Sequence, residues 1–305
     1  MNLKDKVKQY IEYCEYRKEL DSKTLKAYCI DLKQYFNYVQ TEDMNKEKIE
    51  NYITELHKKY KQKTVKRKLA SIKAFYNFCE EELIIETNPF KQIKVKFKEM
   101  FILPRIISRE DIECLLNYMY KQLKNTTQKK YKYYLRDTAI IEILFATGAR
   151  VYEISNIQSN NINLNTGLIC FMGKGGKERY IQISNNTILM TLRQYYFMNK
   201  REIQESGFFF VNRNGKRFTE QSIRYMLKKY SNEAGILVKI TPHMFRHSVA
   251  TYLIEDGVDL SCVQHILGHS SVKTTQIYIH VATKKQAEIL RLRHPRNFMK
   301  ISNVS

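Results

Sequence analysis

Four short stretches in the latter part of the sequence carry side chains able to do chemistry. In Ala146-Thr147-Gly148-Ala149-Arg150-Val151-Tyr152-Glu153, one helix is expected to end at Gly148 and another to begin near Val151. Arg150 stands at that junction beside outward-pointing backbone N–H groups, a place where an anion binds readily. Taken alone, an arginine at a helix start is usually a surface charge. Gly173-Lys174-Gly175-Gly176-Lys177 lacks the G-x-x-x-x-G-K-[ST] spacing of a nucleotide loop and joins two strands rather than a strand and a helix. It reads as a hairpin tip offering Lys174 and Lys177 to a groove, in preference to an ATP site. In Thr241-Pro242-His243-Met244-Phe245-Arg246-His247, threonine and proline mark a helix start. His243 and Arg246 then share one face at the positive end of that helix. The fourth stretch, Leu267-Gly268-His269-Ser270-Ser271, precedes a helix carrying Tyr278. With 22 tyrosines in the chain, Tyr278 by itself reads as a packing residue.

Metal chemistry is not expected from these groups. His243/His247 and His265/His269 are both spaced for one helix face, but no H-E-x-x-H pattern is present and Arg246 would repel a cation. The six cysteines are scattered without any C-x-x-C pair, so neither a disulfide framework nor a zinc ribbon is expected.

The elements that must hold these residues are mainly helical. Residues 1–90 read as helices only, over Val7–Leu20, Lys23–Gln40, Lys46–Tyr60 and Lys63–Glu82, with Ser22 and Asn45 as N-caps of the second and third. The fourth opens on a basic run containing Lys61, Lys63, Lys66 and Arg67. Positive charge there opposes the helix dipole, so the run is expected to meet phosphate, against the alternative of a solvated lysine-rich face. Asn88-Pro89 is expected to stop that helix. Residues 91–105, with Lys94 and Lys96, have no helical period and read as a basic linker lying along DNA. Ser108-Arg109-Glu110-Asp111 opens a new helix. The remainder, 106–305, is expected to be helical except for Gly167–Met172 and Arg179–Ile183, the two arms of the hairpin.

A chain of 305 residues, 43% hydrophobic and 27% charged, suits two folded domains. No apolar run approaches the roughly 20 residues of a membrane span, and the charged N-terminus is not a signal sequence, so a cytosolic location is expected. The net charge of +21 concentrates polyanions and makes binding to nucleic acid salt-dependent. A solubility device or a membrane-surface charge is the blander account.

Taken together and in order, Arg150, Lys174, His243-x-x-Arg246, His269 and Tyr278 resemble the catalytic set of the tyrosine recombinase (phage integrase) family. The stretch from Leu267 to His280 is especially similar to the Xer recombinases of bacterial chromosomes. Gly173-Lys174-Gly175, Glu153, and Ser22, Thr24, Tyr28, Asp31, Leu32 and Phe36 of the first domain extend the resemblance over nearly the whole chain. Ala149 and Phe245 stand where relatives often have a larger apolar residue and leucine, and neither change removes a functional group.

The resemblance implies a helical, SAM-like core-binding domain and a mostly helical catalytic domain that close as a C-shaped clamp on DNA. It implies two arginines, Arg150 and Arg246, on the phosphate, where planar guanidinium forks suit two oxygens at once. It implies Tyr278 as nucleophile, His243 assisting its proton transfer, Lys174 protonating the leaving 5′ oxygen and His269 hydrogen-bonding the phosphate. The product would be a 3′-phosphotyrosyl link, made without cofactor, ATP or metal. It further implies a tetramer on two duplexes, of one chain or with a paralogue, docked through the amphipathic segment Ala282–Arg293, against the alternative of an intramolecular packing helix, and in several Xer systems a DNA translocase as partner. Chromosome dimer resolution is the role this implies. An integrase or invertase of a mobile element, a type IB topoisomerase and a non-cutting architectural DNA-binding protein are the rival readings.

Overall fold

A computed structural model describes residues 3–39, 46–93, 95, 97, 104–173, 176, 178–268 and 291. The chain divides into two compact units, Met1–Met100 and Phe101–Ser305.

The first unit is built from four helices, α1 (Lys6–Tyr16), α2 (Ser22–Val39), α3 (Lys46–Lys59) and α4 (Gln62–Glu81). Each carries a stripe of aromatic and aliphatic residues at helical spacing and buries it against the others. Tyr10, Tyr35, Phe75 and Tyr76 are almost wholly buried, with the Tyr10 and Phe75 rings edge-on at 5.3 Å. The start of α2 differs from expectation. Asp21, not Ser22, satisfies its first turn, accepting the Thr24 N–H at 2.9 Å and the Thr24 hydroxyl at 3.1 Å. Proline does not end α4 either, since that helix stops at Glu81. Asn88-Pro89 instead opens a 3-10 turn, Pro89–Gln92, capped by the Asn88 side chain. That turn buries Phe90, and Ile93, Val95 and Phe97 beyond it also pack on this core.

A buried ion cluster ties α2 to α4. The Asp31 carboxylate is wholly buried and accepts from Arg67, from Lys68 at 2.9 Å and from the Ser71 hydroxyl at 3.1 Å. The amphipathic pattern alone would place Lys68 on a solvated face, yet it is 3% exposed.

The second unit runs α5 (Arg109–Asn125), α6 (Gln128–Thr147), α7 (Val151–Ser155), β1 (Ile162–Asn163), β2 (Leu168–Met172), β3 (Glu178–Gln182), α8 (Asn186–Met198), α9 (Lys200–Ser206), α10 (Glu220–Glu233), α11 (Pro242–Glu255) and α12 (Leu260–Leu267). α6 is the central helix: Ala139, Ile140, Ile141, Ile143 and Leu144 are all fully buried, which requires partners around the whole helix. α5, α8 and α11 supply them. The expected hairpin is present as β2 and β3, antiparallel, with Phe171 opposite Arg179. A third strand, β1, pairs with β2 and is too short to leave a period in the sequence. The strap before α5 is fixed to α11. The Ile107 N–H donates to the Ser248 hydroxyl at 2.8 Å and the Tyr252 hydroxyl donates to the Ile107 carbonyl at 2.5 Å.

Two glycines are required by this packing. Gly148 ends α6 in the left-handed region (φ 57°) and its N–H donates to the Leu144 carbonyl. A Cβ there would stand 2.6 Å from Leu267 Cδ2. Gly148→Ala is therefore expected to cost about 1–2 kcal/mol in backbone strain alone, seen as a fall in Tm of roughly 2–8 °C for a domain of this size. An unchanged Tm would show that α6 can end here without the left-handed turn. Gly167 (φ 79°) leads into β2, where a Cβ would lie 2.3 Å from the Ile183 carbonyl oxygen.

Candidate active site

The junction between α6 and α7, the second turn of α11 and the last turn of α12 meet at one point. Arg150 is the N-cap residue of α7. Its backbone N–H donates to Glu153 Oε2 at 2.7 Å and its guanidinium to Glu153 Oε1 at 3.0 Å and to the Gly268 carbonyl at 3.3 Å. The side chain stays 38% exposed. Arg246, one turn into α11, is 5% exposed. It donates to the Gly148 carbonyl at 2.9 Å and to the Leu267 carbonyl at 2.6 Å.

A third arginine completes the pattern. Arg179 of β3 donates to the Ile266 carbonyl at 2.8 Å and to Glu153 Oε2 at 2.7 Å. Its guanidinium lies over the Phe171 ring at 4.5 Å. Arg179, Arg246 and Arg150 thus hold the successive carbonyls of Ile266, Leu267 and Gly268. These are the carbonyls that a helix C-terminus leaves without intrahelical partners, and the negative end of its dipole favours cations there. Gly268 turns the chain at φ 64°, and a Cβ on it would meet Arg179 Cδ at 2.6 Å.

Glu153 is the anion at the centre, 3% exposed. Burial opposes its charge, but the hydrogen bond and charge of Arg179, together with those of Arg150, hold the carboxyl below the usual range. The carboxylate is therefore ionised at neutral pH, shared between two guanidiniums. On the outer face of α11, His243 is exposed and His247 is half-buried. Burial, with His243 and Arg246 adding to it, lowers the His247 pKa, which favours a neutral imidazole beside the arginine.

Of the residues singled out in the sequence, the structure brings Arg150 and Arg246 onto the same turn and sets His243 one turn of helix from Arg246. Lys174, Lys177, His269 and Tyr278, the tail segment Ala282–Arg293 apart from Arg291, and Lys94 and Lys96 lie outside the described residues. Lys61, Lys63, Lys66 and Arg67 are exposed at the start of α4. Arg67 also gives both terminal nitrogens to Asp31, and Lys66 Nζ sits 5.9 Å from the Phe97 ring centre.

Arg179 was not among the residues expected at the site. Its signal was the strand alternation, which puts it on the face of Ile181 rather than that of Glu178 and Tyr180. An arginine on the inward face of a strand needs a buried anion, and Glu153 is that anion.

Residues 109–285 match the phage integrase family, and residues 7–82 match the N-terminal SAM-like domain of phage integrases. A tyrosine recombinase of Agathobacter rectalis is 45% identical over 301 residues, covering 97% of this chain and 98% of the relative. The chain belongs to the phage integrase family of tyrosine recombinases. Tyrosine recombinase XerC of Bacillus subtilis is 30% identical over 312 residues, 98% of this chain and 99% of the relative. Among solved structures, the XerH recombinase bound to a palindromic difH substrate shares the fold with a TM-score of 0.75 at 20% identity, over 95% of this chain and 84% of that one. A lambda integrase tetramer bound to a Holliday junction shares it at 0.67 and 16% identity, over 90% and 76%. Among the described residues no helix is long and apolar enough to cross a membrane.

Proposed function

We propose that this recombinase cuts one DNA strand at a specific site by attack of the Tyr278 hydroxyl on a phosphodiester, and rejoins it to a second strand. The observation that carries the reading is the convergence of Arg150 and Arg246 on the carbonyls of Leu267 and Gly268, directly before His269. Two guanidiniums from distant parts of the chain are fixed beside the segment that leads to the tyrosine. Charge-assisted donors held in place before the reaction stabilise the extra negative charge of a five-coordinate phosphorus.

In the forward step the Tyr278 oxygen bonds to phosphorus and the bond to the 5′ oxygen breaks. The phenol, with an ordinary pKa of about 10, gives up its proton with help from His243. Lys174 delivers a proton to the departing 5′ oxygen, and His269 donates to a non-bridging oxygen. The phosphotyrosyl ester keeps the strand exchangeable, so a 5′ hydroxyl from another duplex reverses the step and releases Tyr278. Lys61, Lys63, Lys66, Arg67, Lys94, Lys96 and Lys177 supply contacts to the DNA backbone. The domain bounds that go with this reading are a core-binding domain over 1–90, a linker over 91–105 and a catalytic domain over 106–305.

The Xer names of relatives such as that of Bacillus subtilis support a Xer-type role, resolution of chromosome dimers in the bacterial cytoplasm. That role calls for a tetramer on two duplexes, alone or with a paralogue, and a DNA translocase as accessory partner.

The test is a suicide substrate, a duplex nicked next to the cleavage site so that the freed fragment diffuses away and the covalent complex accumulates. Wild type is expected to form the protein–DNA adduct and Tyr278→Phe to form none while binding the duplex equally well. An adduct from the phenylalanine variant would move the nucleophile to another residue.

A further inference from the structure

We infer that Arg179 is a positioning residue of the cleavage site, keeping the Arg150 guanidinium available to the phosphate by sharing the charge of Glu153. The inference rests on the recombinase reading above and adds a residue to its machinery.

Glu153 is almost fully buried and ionised, so it demands positive charge at close range. Two guanidiniums meet that demand, Arg150 on Oε1 at 3.0 Å and Arg179 on Oε2 at 2.7 Å. The group of three therefore keeps one net positive charge. With Arg179 absent, Arg150 would be the single cation facing a buried carboxylate among the contacts described for Glu153. Its charge would be cancelled there and its fork drawn inward, away from the site that is now 38% exposed.

Arg179 is placed to carry this load because its own position is fixed on three sides. Phe171 lies under the guanidinium, the Ile266 carbonyl accepts from one terminal nitrogen, and the methylenes pass over Gly268, which has no Cβ to obstruct them. The bond to Ile266 also joins β3 to the last turn of α12. The hairpin that bears Lys174 and the turn that precedes His269 are thereby held by the same side chain.

The experiment compares single-turnover adduct formation on the nicked duplex for wild type, R179M, R179K, E153Q and the R179M/E153Q pair, all as full-length protein. Duplex affinity is measured by gel shift and folding by far-ultraviolet circular dichroism. R179M is expected to slow cleavage about tenfold to a hundredfold, the scale of a misplaced catalytic group, with duplex affinity within about twofold because the phosphate contacts elsewhere dominate binding. R179K, which restores charge without the fork, should recover part of the rate.

The decisive arm is the pair. Removing the carboxylate charge should release Arg150, so R179M/E153Q is expected to cleave about tenfold faster than R179M. Removing both charges also relieves an unpaired buried carboxylate, so rates are compared at a temperature where circular dichroism shows every variant fully folded. There a purely structural role predicts wild-type cleavage by R179M, and that result would overturn the inference, as would a pair no faster than R179M. Should R179M fail to fold, the neutral R179Q is compared with R179Q/E153Q under the same folded conditions, rescue supporting the inference and its absence overturning it. Absence of an adduct from wild type would count against the recombinase reading itself, which separates the two failures.

Discussion

Arg246→Lys is expected to reduce the single-turnover rate of adduct formation by about a hundredfold to a thousandfold, the range found when one fixed donor to a transition-state oxyanion is removed. Charge is conserved in this substitution, so the loss measures geometry. The guanidinium of Arg246 holds two carbonyls on different elements, Gly148 at the end of α6 and Leu267 at the end of α12. An ammonium presents its donors from a single nitrogen and does not span both carbonyls in one plane. The side chain is 5% exposed, so water does not readily replace a lost contact, and a carbonyl left without a donor there costs about 1–3 kcal/mol. Duplex binding should change far less than cleavage, because affinity is spread over many phosphate contacts. A lysine variant that cleaves within about threefold of wild type would show that charge alone is required and that the planar fork proposed for the phosphate is not.

The same residues show what was legible in the sequence. Arg150 and Arg246 could be placed at helix starts because each lies within four residues of one that punctuates the backbone, Gly148, which ends α6, and Pro242, which opens α11. The ordered set with Lys174, His243, His269 and Tyr278 then singled them out. Such signals act over a few residues and survive in one dimension. The hairpin arms were legible by their alternation, while β1, two residues long, has no period to read. Arg179 needed a partner that lies on another element, and only the fold brings Glu153 to it. The cap of α2 was misplaced by one residue because Asp21 and Ser22 are both good capping types, and the backbone, not the composition, decides between them. The run at the start of α4 illustrates the opposite limit. Lys61, Lys63, Lys66 and Arg67 read alike by charge, but Arg67 faces Asp31 and the next residue, Lys68, is buried beside it.

That buried cluster gives the largest expected effect on stability. Asp31→Leu removes the carboxylate that answers Arg67, Lys68 and Ser71 and leaves the Lys68 ammonium, 3% exposed, without its anion. Breaking a buried pair from one side costs about 3–5 kcal/mol. In a domain of this size that corresponds to a fall in Tm of more than about 10 °C, read by calorimetry on the full chain as the shift of the first domain's transition. The second unit has its own core of buried residues, so adduct chemistry is a poor readout here and thermal unfolding is the right one. Asp31→Leu combined with Lys68→Met removes both charges and should recover most of the loss, since well-packed apolar groups replace buried ion pairs at little or no cost. Arg67, with its side chain 47% exposed, can turn to water and needs no such replacement. If the single variant unfolds at the wild-type temperature, α2 and α4 are held by their apolar faces alone. If the double variant stays as unstable as the single, Asp31 contributes through Ser71 and Arg67 rather than through the buried lysine.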